Sequence, residues 1–562
     1  MRYMKEIVKK NRIWVFVYIA IGIFNSFMTN FKADYFQKVV DGLASGTVLF
    51  SGILMYGAIL LVDYIMNYVD EYPAKKLEHG MFLDFKLLAL RKISCIDYLE
   101  YQRAGTGMMV QRIESGAAAG RNVLYHFWFC LIRQLIPTIL FSIYFIFKMN
   151  RTVTCILLAG YGIVFIVTNA LLKFLYQIKE KILDSEERLN HYLVRGFMEM
   201  LVFRMERQFP NEMKKASNAK EQIVSAKVKM NMIHEAFFTI FAILVAVLDV
   251  GILLFAWKTQ SISVGAVVAL LSLIENAYTP IAIFNVLYVQ YKLDWTAFGR
   301  FEEVLLLKED TMLQDGKYVS RVLGDIKVEN LSFQYGDRRV LSDVNLSIKQ
   351  GEKVAFVGES GSGKSTLAKL LVGLLKYDEG HIYLDGEELR NICLNGLYEK
   401  VSYLSQDSPV FDGTIRENLV FDRKVEEAEL LDVLQKVNLR PLFEQLSNGW
   451  NTEIGERGTC LSGGEKQRLA LARIWFDSPS IVVLDEATSA MDTLTEETVM
   501  RYLMSMLQGK TVISITHRFH SIAEFDKIVV FHKGKIVGVG AYDELINNNT
   551  YFADLYNRNL QS

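Results

Sequence analysis

The run Gly358-Glu-Ser-Gly-Ser-Gly-Lys364-Ser365 puts glycines, a lysine and hydroxyl groups within eight residues, a combination suited to holding phosphate. Glycines let the backbone turn and bring N–H groups to an anion, lysine adds a full positive charge, and the serine hydroxyl can ligate a divalent cation. About 120 residues further on, Asp485-Glu486 closes the apolar run Ile481-Val-Val-Leu. The first carboxylate of such a pair can hold a metal ion, and the second can take a proton from water or orient it. A third run, Leu461-Ser462-Gly463-Gly464-Glu465, stands 20 positions ahead of Ile481 and again offers glycines and a hydroxyl for an anion. Alone, the glycine run is a moderate signal. The ordered set is a specific one.

These groups need elements to aim them. Val354-Ala-Phe-Val-Gly358 reads as a short β-strand and the stretch from Lys364 to Leu375 has helical spacing, so the glycine loop joins a strand to a helix. A helix N-terminus there adds its positive dipole end to the backbone N–H groups. Lys364 is then expected to reach the β- and γ-phosphates of a nucleotide, Ser365 and Asp485 to hold Mg²⁺, and Glu486 to act as general base or to orient the water. Strands begin at Ile326, which makes 325–562 an α/β domain.

Upstream the chain changes character. A hydrophobic fraction of 51% over 562 residues, with a mean hydropathy of +0.18, is high for a soluble protein of this size. Six windows, 13–31, 48–69, 123–147, 152–176, 236–257 and 263–291, are long and apolar enough to cross a hydrocarbon core, which takes about 20 helical residues. Residues 13–292 are thus expected to be a six-helix membrane domain lying in a lipid bilayer. Lys and Arg number eight in 73–122 and eleven in 177–235, against two in 148–151 and one in 258–262. Basic residues resist translocation, so the long loops, the amino terminus and the α/β domain are read as cytoplasmic. Residues 1–12 are basic, show no cleavable-signal pattern and read as an amphipathic elbow on the inner surface. Residues 293–324 read as a connector of mixed charge. The five cysteines show no C-x-x-C pairing and read as isolated and reduced, and a net charge of −1 gives no argument for a nucleic-acid partner.

On these motifs residues 325–562 resemble the nucleotide-binding domain of ABC transporters, and the whole chain resembles a half-transporter with the ABC exporter fold. The resemblance implies that ATP and Mg²⁺ are the ligands, that Ser360, Ser362 and Thr366 complete the phosphate loop with Gly361 and Gly363, and that Tyr335 in Phe333-Gln-Tyr-Gly stacks on adenine. It implies that Gln406 in Tyr403-Leu-Ser-Gln senses the metal and γ-phosphate, that His517 in Thr516-His517-Arg holds the γ-phosphate, and that Ser489-Ala-Met-Asp492 crosses a dimer interface with Met491 where Leu is usual. Ser462, Gly463, Gly464 and Glu465 match the family signature, with Glu in place of the commoner Gln. In the family this signature closes on the ATP of a second subunit, so a homodimer or heterodimer is expected. Thr452-Glu-Ile-Gly-Glu456-Arg-Gly resembles the segment that meets the membrane domain, and the stretches from Tyr101 to Met108 and from Tyr192 to Arg204 resemble coupling helices. An acidic residue often seen in the family is missing around Gly116 to Ala119, and Glu199 stands where a small residue is common.

The resemblance implies a multi-pass protein of a bacterial cell membrane that exports a hydrophobic or amphipathic drug, lipid or peptide. A siderophore-type importer on the same fold, and an ATP-gated channel partner that does not pump, are the alternatives. Three charges, Asp63, Arg133 and Glu275, fall inside apolar windows at similar depth, about 18–22 Å from the outer ends at about 1.5 Å per residue. Such groups should face the bundle interior or water. One reading is a structural ion pair, for instance Asp63 with Arg133; the other is that Arg133 or Glu275 contacts a charged part of the cargo.

Overall fold

The computed structural model describes the chain except residues 260–261, 407–409, 456–457, 459, 517–518 and 561–562, with backbone only at 106, 163–174, 176, 180, 183, 285, 519–521 and 559–560. It divides into two compact units. One comprises Met1–Ser94 and Ala104–Leu307; the other comprises Cys95–Arg103 and Lys308–Ser562.

The first unit is built on long helices: α1 Arg12–Ala44, α2 Phe50–Ile93, α3 Gly107–Met149, α4 Arg151–Met198, α5 Phe209–Thr259 and α6 Val264–Leu305. Among the described residues five of them, all but α4, are long and apolar enough to cross a membrane. The apolar window 152–176 falls in α4, where the side chains of 163–174 lie outside the described residues. Ahead of α1, the helix Arg2–Lys10 buries Met4 and Ile7 and points Lys10 at Asp84, 2.6 Å away. The mixed-charge stretch from 293 begins as helix, because α6 runs on to Leu305.

Small residues decide where these helices touch. On α3 a Cβ at Gly116 would collide with Phe301, and one at Gly120 would come within 2.8 Å of Phe85. Phe85, Phe298 and Phe301 are fully buried against Ala117 and Ala119. At Gly116 a carboxylate would displace Phe301, and at Ala117 or Ala119 it would be buried without water.

Charges inside the apolar windows pair otherwise than expected. Asp63, nearly buried, accepts from Lys32 Nζ at 2.8 Å, while Arg133 is ion-paired with Asp70. The pairing of Asp63 with Arg133 is therefore overturned. Asp70 lies one residue beyond the window 48–69, and Lys32 one residue beyond 13–31, so both partners fell outside the apolar count. The Arg133 guanidinium lies 3.8 Å from the ring centre of Tyr18 and is seated against Gly22, whose absent Cβ would lie 2.6 Å from Nε. Around it α3 loosens into π-helix over Asn122–Phe129 and Leu131–Leu135. Glu275 occupies an exposed position on α6.

Among the described residues the second unit holds ten strands: β1 Ile326–Tyr335, β2 Arg338–Ile348, β3 Lys353–Gly358, β4 Glu379–Leu384, β5 Glu387–Glu388, β6 Val401–Leu404, β7 Ile481–Asp485, β8 Thr511–Ile515, β9 Lys527–His532 and β10 Lys535–Gly540. An antiparallel sheet runs β2-β1-β4-β5, and a six-stranded sheet runs β10-β9-β3-β8-β7-β6 with β9, β3, β8, β7 and β6 mutually parallel. Strands β7 and β8 are buried at every residue, as the continuous apolar runs require. A helical layer with its own core, including Leu430, Val433, Leu469 and Leu471, carries the Ser462 motif. The short helix Tyr98–Ala104 begins inside this unit: Asp97 N–H donates to Lys308 O at 3.0 Å, Asp310 N–H donates to Cys95 O at 2.8 Å, and Tyr98 and Leu99 pack on the strand core.

Candidate nucleotide site

Parallel strands end on one edge, and loops at that edge collect ligand groups. Here β3 ends at Gly358 and β7 at Asp485, with β8 between them. Gly358 cannot carry a side chain, since a Cβ would strike Phe531 O, and Gly363 caps the helix Lys364–Leu371 at φ +108°. This turn wraps backbone around Lys364. Its Nζ donates to Gly358 O at 2.8 Å and Glu359 O at 2.9 Å and is nearly buried. Burial pulls the ammonium below the usual lysine range, while the Glu486 and Asp485 carboxylates pull it upward.

Ser365 Oγ donates to Asp485 Oδ1 at 2.8 Å, which brings the loop and the acidic strand end into one cluster. Asp485 Oδ2 accepts from the Tyr403 hydroxyl at 3.0 Å. Burial and the Asp485 charge push the Tyr403 phenol far above its ordinary range, so it stays a donor. Glu486 takes a left-handed φ of +51°, donates its N–H to Ile515 O and accepts from Gln406 Nε2 at 2.7 Å. Backbone strain at a single non-glycine residue costs about 1–3 kcal/mol and persists where surroundings impose it. Here β8 and Gln406 supply two such constraints.

The site fits a magnesium nucleotide by its donor set. Hydroxyl and carboxylate oxygens at Ser365 and Asp485 suit a hard divalent cation. Ser362 Oγ is buried with no partner among the described residues, beside N–H groups of the same turn, as an anion cradle would leave it. Ser360 is exposed, Thr366 lies in the first turn of Lys364–Leu371, and Tyr335 packs edge-on to Phe333 on the small sheet, ring centres 5.0 Å apart. His517 lies outside the described residues, as do Glu456 and Arg457 of the Thr452 segment.

Ser462 caps the helix Gly463–Asp477 through a reciprocal capping box with Glu465. One turn later Gln467 reaches the stretch Ser489–Asp492, donating to Ser489 Oγ at 3.0 Å and accepting from Ala490 N–H at 2.8 Å; Met491 is buried. Two residues escaped the sequence reading. Tyr403 stood inside the quoted Tyr403-Leu-Ser-Gln run, and its signal was an aromatic on a strand whose neighbour ends in a carboxylate. Gln467 gave no signal, because its partners lie 22 and 23 residues away.

Residues 341–489 match the family described as ABC transporter. Among curated proteins, the chain is 38% identical over 299 residues to the uncharacterized ABC transporter ATP-binding protein YwjA of Bacillus subtilis, covering 53% of this chain and 52% of that protein. It is 39% identical over 247 residues to the ATP-dependent lipid A-core flippase of Francisella tularensis, covering 44% and 41%. The chain thus spans about half the length of the curated relatives it matches or less. The solved structure of a bacterial Atm1-family ABC exporter with ATP bound superposes with a TM-score of 0.82 over 98% of both chains at 22% identity. The strand-edge glycine loop, the capped Ser462 helix start and the acidic strand end all fall inside the matched residues 341–489. The family match rests on residues 341–489, and the chain as a whole has the fold of that solved exporter.

Proposed function

We propose that the chain is one subunit of an ATP-driven exporter that hydrolyses ATP at the β3–β7 edge and moves a hydrophobic or amphipathic compound, such as a drug, lipid or peptide, across a bacterial cell membrane. The observation that carries this reading is the chain of contacts from Lys364 and Ser365 through Asp485 to Glu486 and Gln406 in a molecule of exporter fold. Lys364 and the N–H groups from Gly358 to Ser365 bind the phosphates, with Ser360, Ser362 and Thr366 completing the cradle, and Tyr335 stacks on adenine. Ser365, Asp485 and Gln406 hold Mg²⁺, which when bound neutralises phosphate charge. Glu486 takes the proton of the attacking water, held in place by Gln406, and His517 contacts the γ-phosphate.

A second subunit completes each site. Ser462, Gly463 and Gly464 receive the partner's γ-phosphate at the helix start that Glu465 caps, and binding closes the ATPase domains that hydrolysis releases. The exposed apolar turn at Phe197, Met198, Leu201 and Val202, within the stretch matched to a coupling helix, supports assembly with a partner. Glu486→Gln keeps the acceptor to Gln406 and loses the base, so steady-state hydrolysis is expected to fall about 10²–10⁴-fold with ATP binding retained. Hydrolysis at the parental rate would falsify the assignment. Ser462→Arg is expected to block nucleotide-driven closure, measured as the distance between labels on the two ATPase domains; normal closure rules out the shared site.

A further inference from the structure

Glu465 is the third residue of the helix Gly463–Asp477, and its carboxylate folds back on the cap. One oxygen, Oε2, accepts from both the N–H and the hydroxyl of Ser462, each at 2.7 Å, while Ser462 Oγ accepts from Glu465 N–H at 3.4 Å. A hydroxyl has a single proton to donate. Both donors of Ser462 are therefore engaged, and hydrogen bonds to an ionised acceptor are about twice as strong as neutral ones. The carboxylate also places a negative charge at the positive end of the helix dipole. Arg468, one turn on, brings Nη1 to 3.7 Å from where a Gly464 Cβ would lie. The helix end cannot easily shift to make room, because a Cβ at Gly464 would already lie 2.9 Å from Ala490 O.

A phosphate arriving at this helix end needs the same two donors and the same field. We infer that Glu465 is an internal competitor for the partner's γ-phosphate: it occupies the Ser462 donors in the open subunit, lowers the affinity of ATP-driven closure and speeds reopening. The inference rests on the reading that this helix end closes on a second subunit's ATP. Glutamine at this position would preserve the acceptor to Ser462 without the charge, so the difference between the two residues is electrostatic.

The test uses the assembled full-length transporter in lipid nanodiscs, in a Glu486→Gln background that holds the closed state, with labels on the two ATPase domains. ATP is titrated at 0.1 M and 1 M salt, where the screening length is about 10 Å and 3 Å. Glu465→Gln is expected to lower the ATP concentration for half closure about three- to tenfold at 0.1 M, with most of the gain lost at 1 M. An unchanged or raised half-closure concentration overturns the inference, and so does a gain equal at both salts, which would belong to packing. Should Glu465→Gln melt early, Glu465→Ser removes the same charge and carries the same test. Ser462→Arg run alongside separates the two claims. If it still closes, the shared site is wrong; if it fails to close while Glu465→Gln changes nothing, only the competition is wrong.

Discussion

Lys364 shows how much of the site one residue concentrates. Its ammonium is nearly buried and satisfied by two carbonyls of its own loop, so the fold tolerates a charge that burial disfavours. Replacing it with methionine keeps the bulk and removes the charge. Parental protein at an ATP concentration 100 times Kd gains about 2.7 kcal/mol from ligand binding; Lys364→Met is expected to lose most of that gain, seen as a melting temperature that no longer rises with ATP. Two carboxylates on the same unit set a pH dependence. Glu417 and Asp492 are held below the usual carboxylate range because each accepts from a backbone N–H at a helix start, of Thr414 and Thr495 respectively. A depressed folded-state value gives stabilisation that is complete above the unfolded value and lost as pH falls through the folded one, here below about pH 4. The double variant Glu417→Gln with Asp492→Asn is expected to flatten that acid limb in thermal melts taken from pH 3 to 6. Lys364, Ser365, Asp485 and Glu486 were legible in sequence because their chemistry is carried by neighbours in the chain. The Tyr403–Asp485 bond joins residues 82 apart and appears only when β6 and β7 pair in register.

Helices as elements were legible from composition, and their contacts were not. An apolar window fixes length, whereas each residue turns a helix by about 100°, so a partner is set by rotation that no window records. Arg133 illustrates this: its carboxylate is Asp70, its aromatic shelf is Tyr18 and its space is Gly22, from three stretches of sequence. Removing one member of a buried pair leaves an uncompensated charge, a loss of about 3–5 kcal/mol. Arg133→Gln is expected to melt early in detergent, and adding Asp70→Asn to recover much of the loss. If the single variant keeps full stability while substrate-stimulated ATPase activity disappears, Arg133 serves the cargo instead. The π-helical turns beside it went unread, since periodicity near 3.6 hides a local change of hydrogen-bonding step. The stretch from Tyr101 to Met108, matched as a coupling helix, is broken by Gly105 at φ +70°, between Tyr98–Ala104 and the following helix Thr106–Arg121.

At the scale of the whole molecule, the α/β unit is discontinuous in sequence, built from Cys95–Arg103 together with Lys308–Ser562. A protein made from residues 308–562 alone would bare the strand-core surface that Tyr98 and Leu99 cover. It is expected to aggregate more readily than the same fragment supplied with residues 95–103 on a flexible linker, as light scattering on warming would show. The discontinuity also sets a timetable for synthesis. About 200 residues separate Arg103 from Lys308, which at 5–20 residues per second is roughly 10–40 s on the ribosome. For at least that interval Tyr98 and Leu99 have no strand core to rest on, so a nascent chain stalled before residue 308 offers a chaperone an apolar turn that the completed protein half buries.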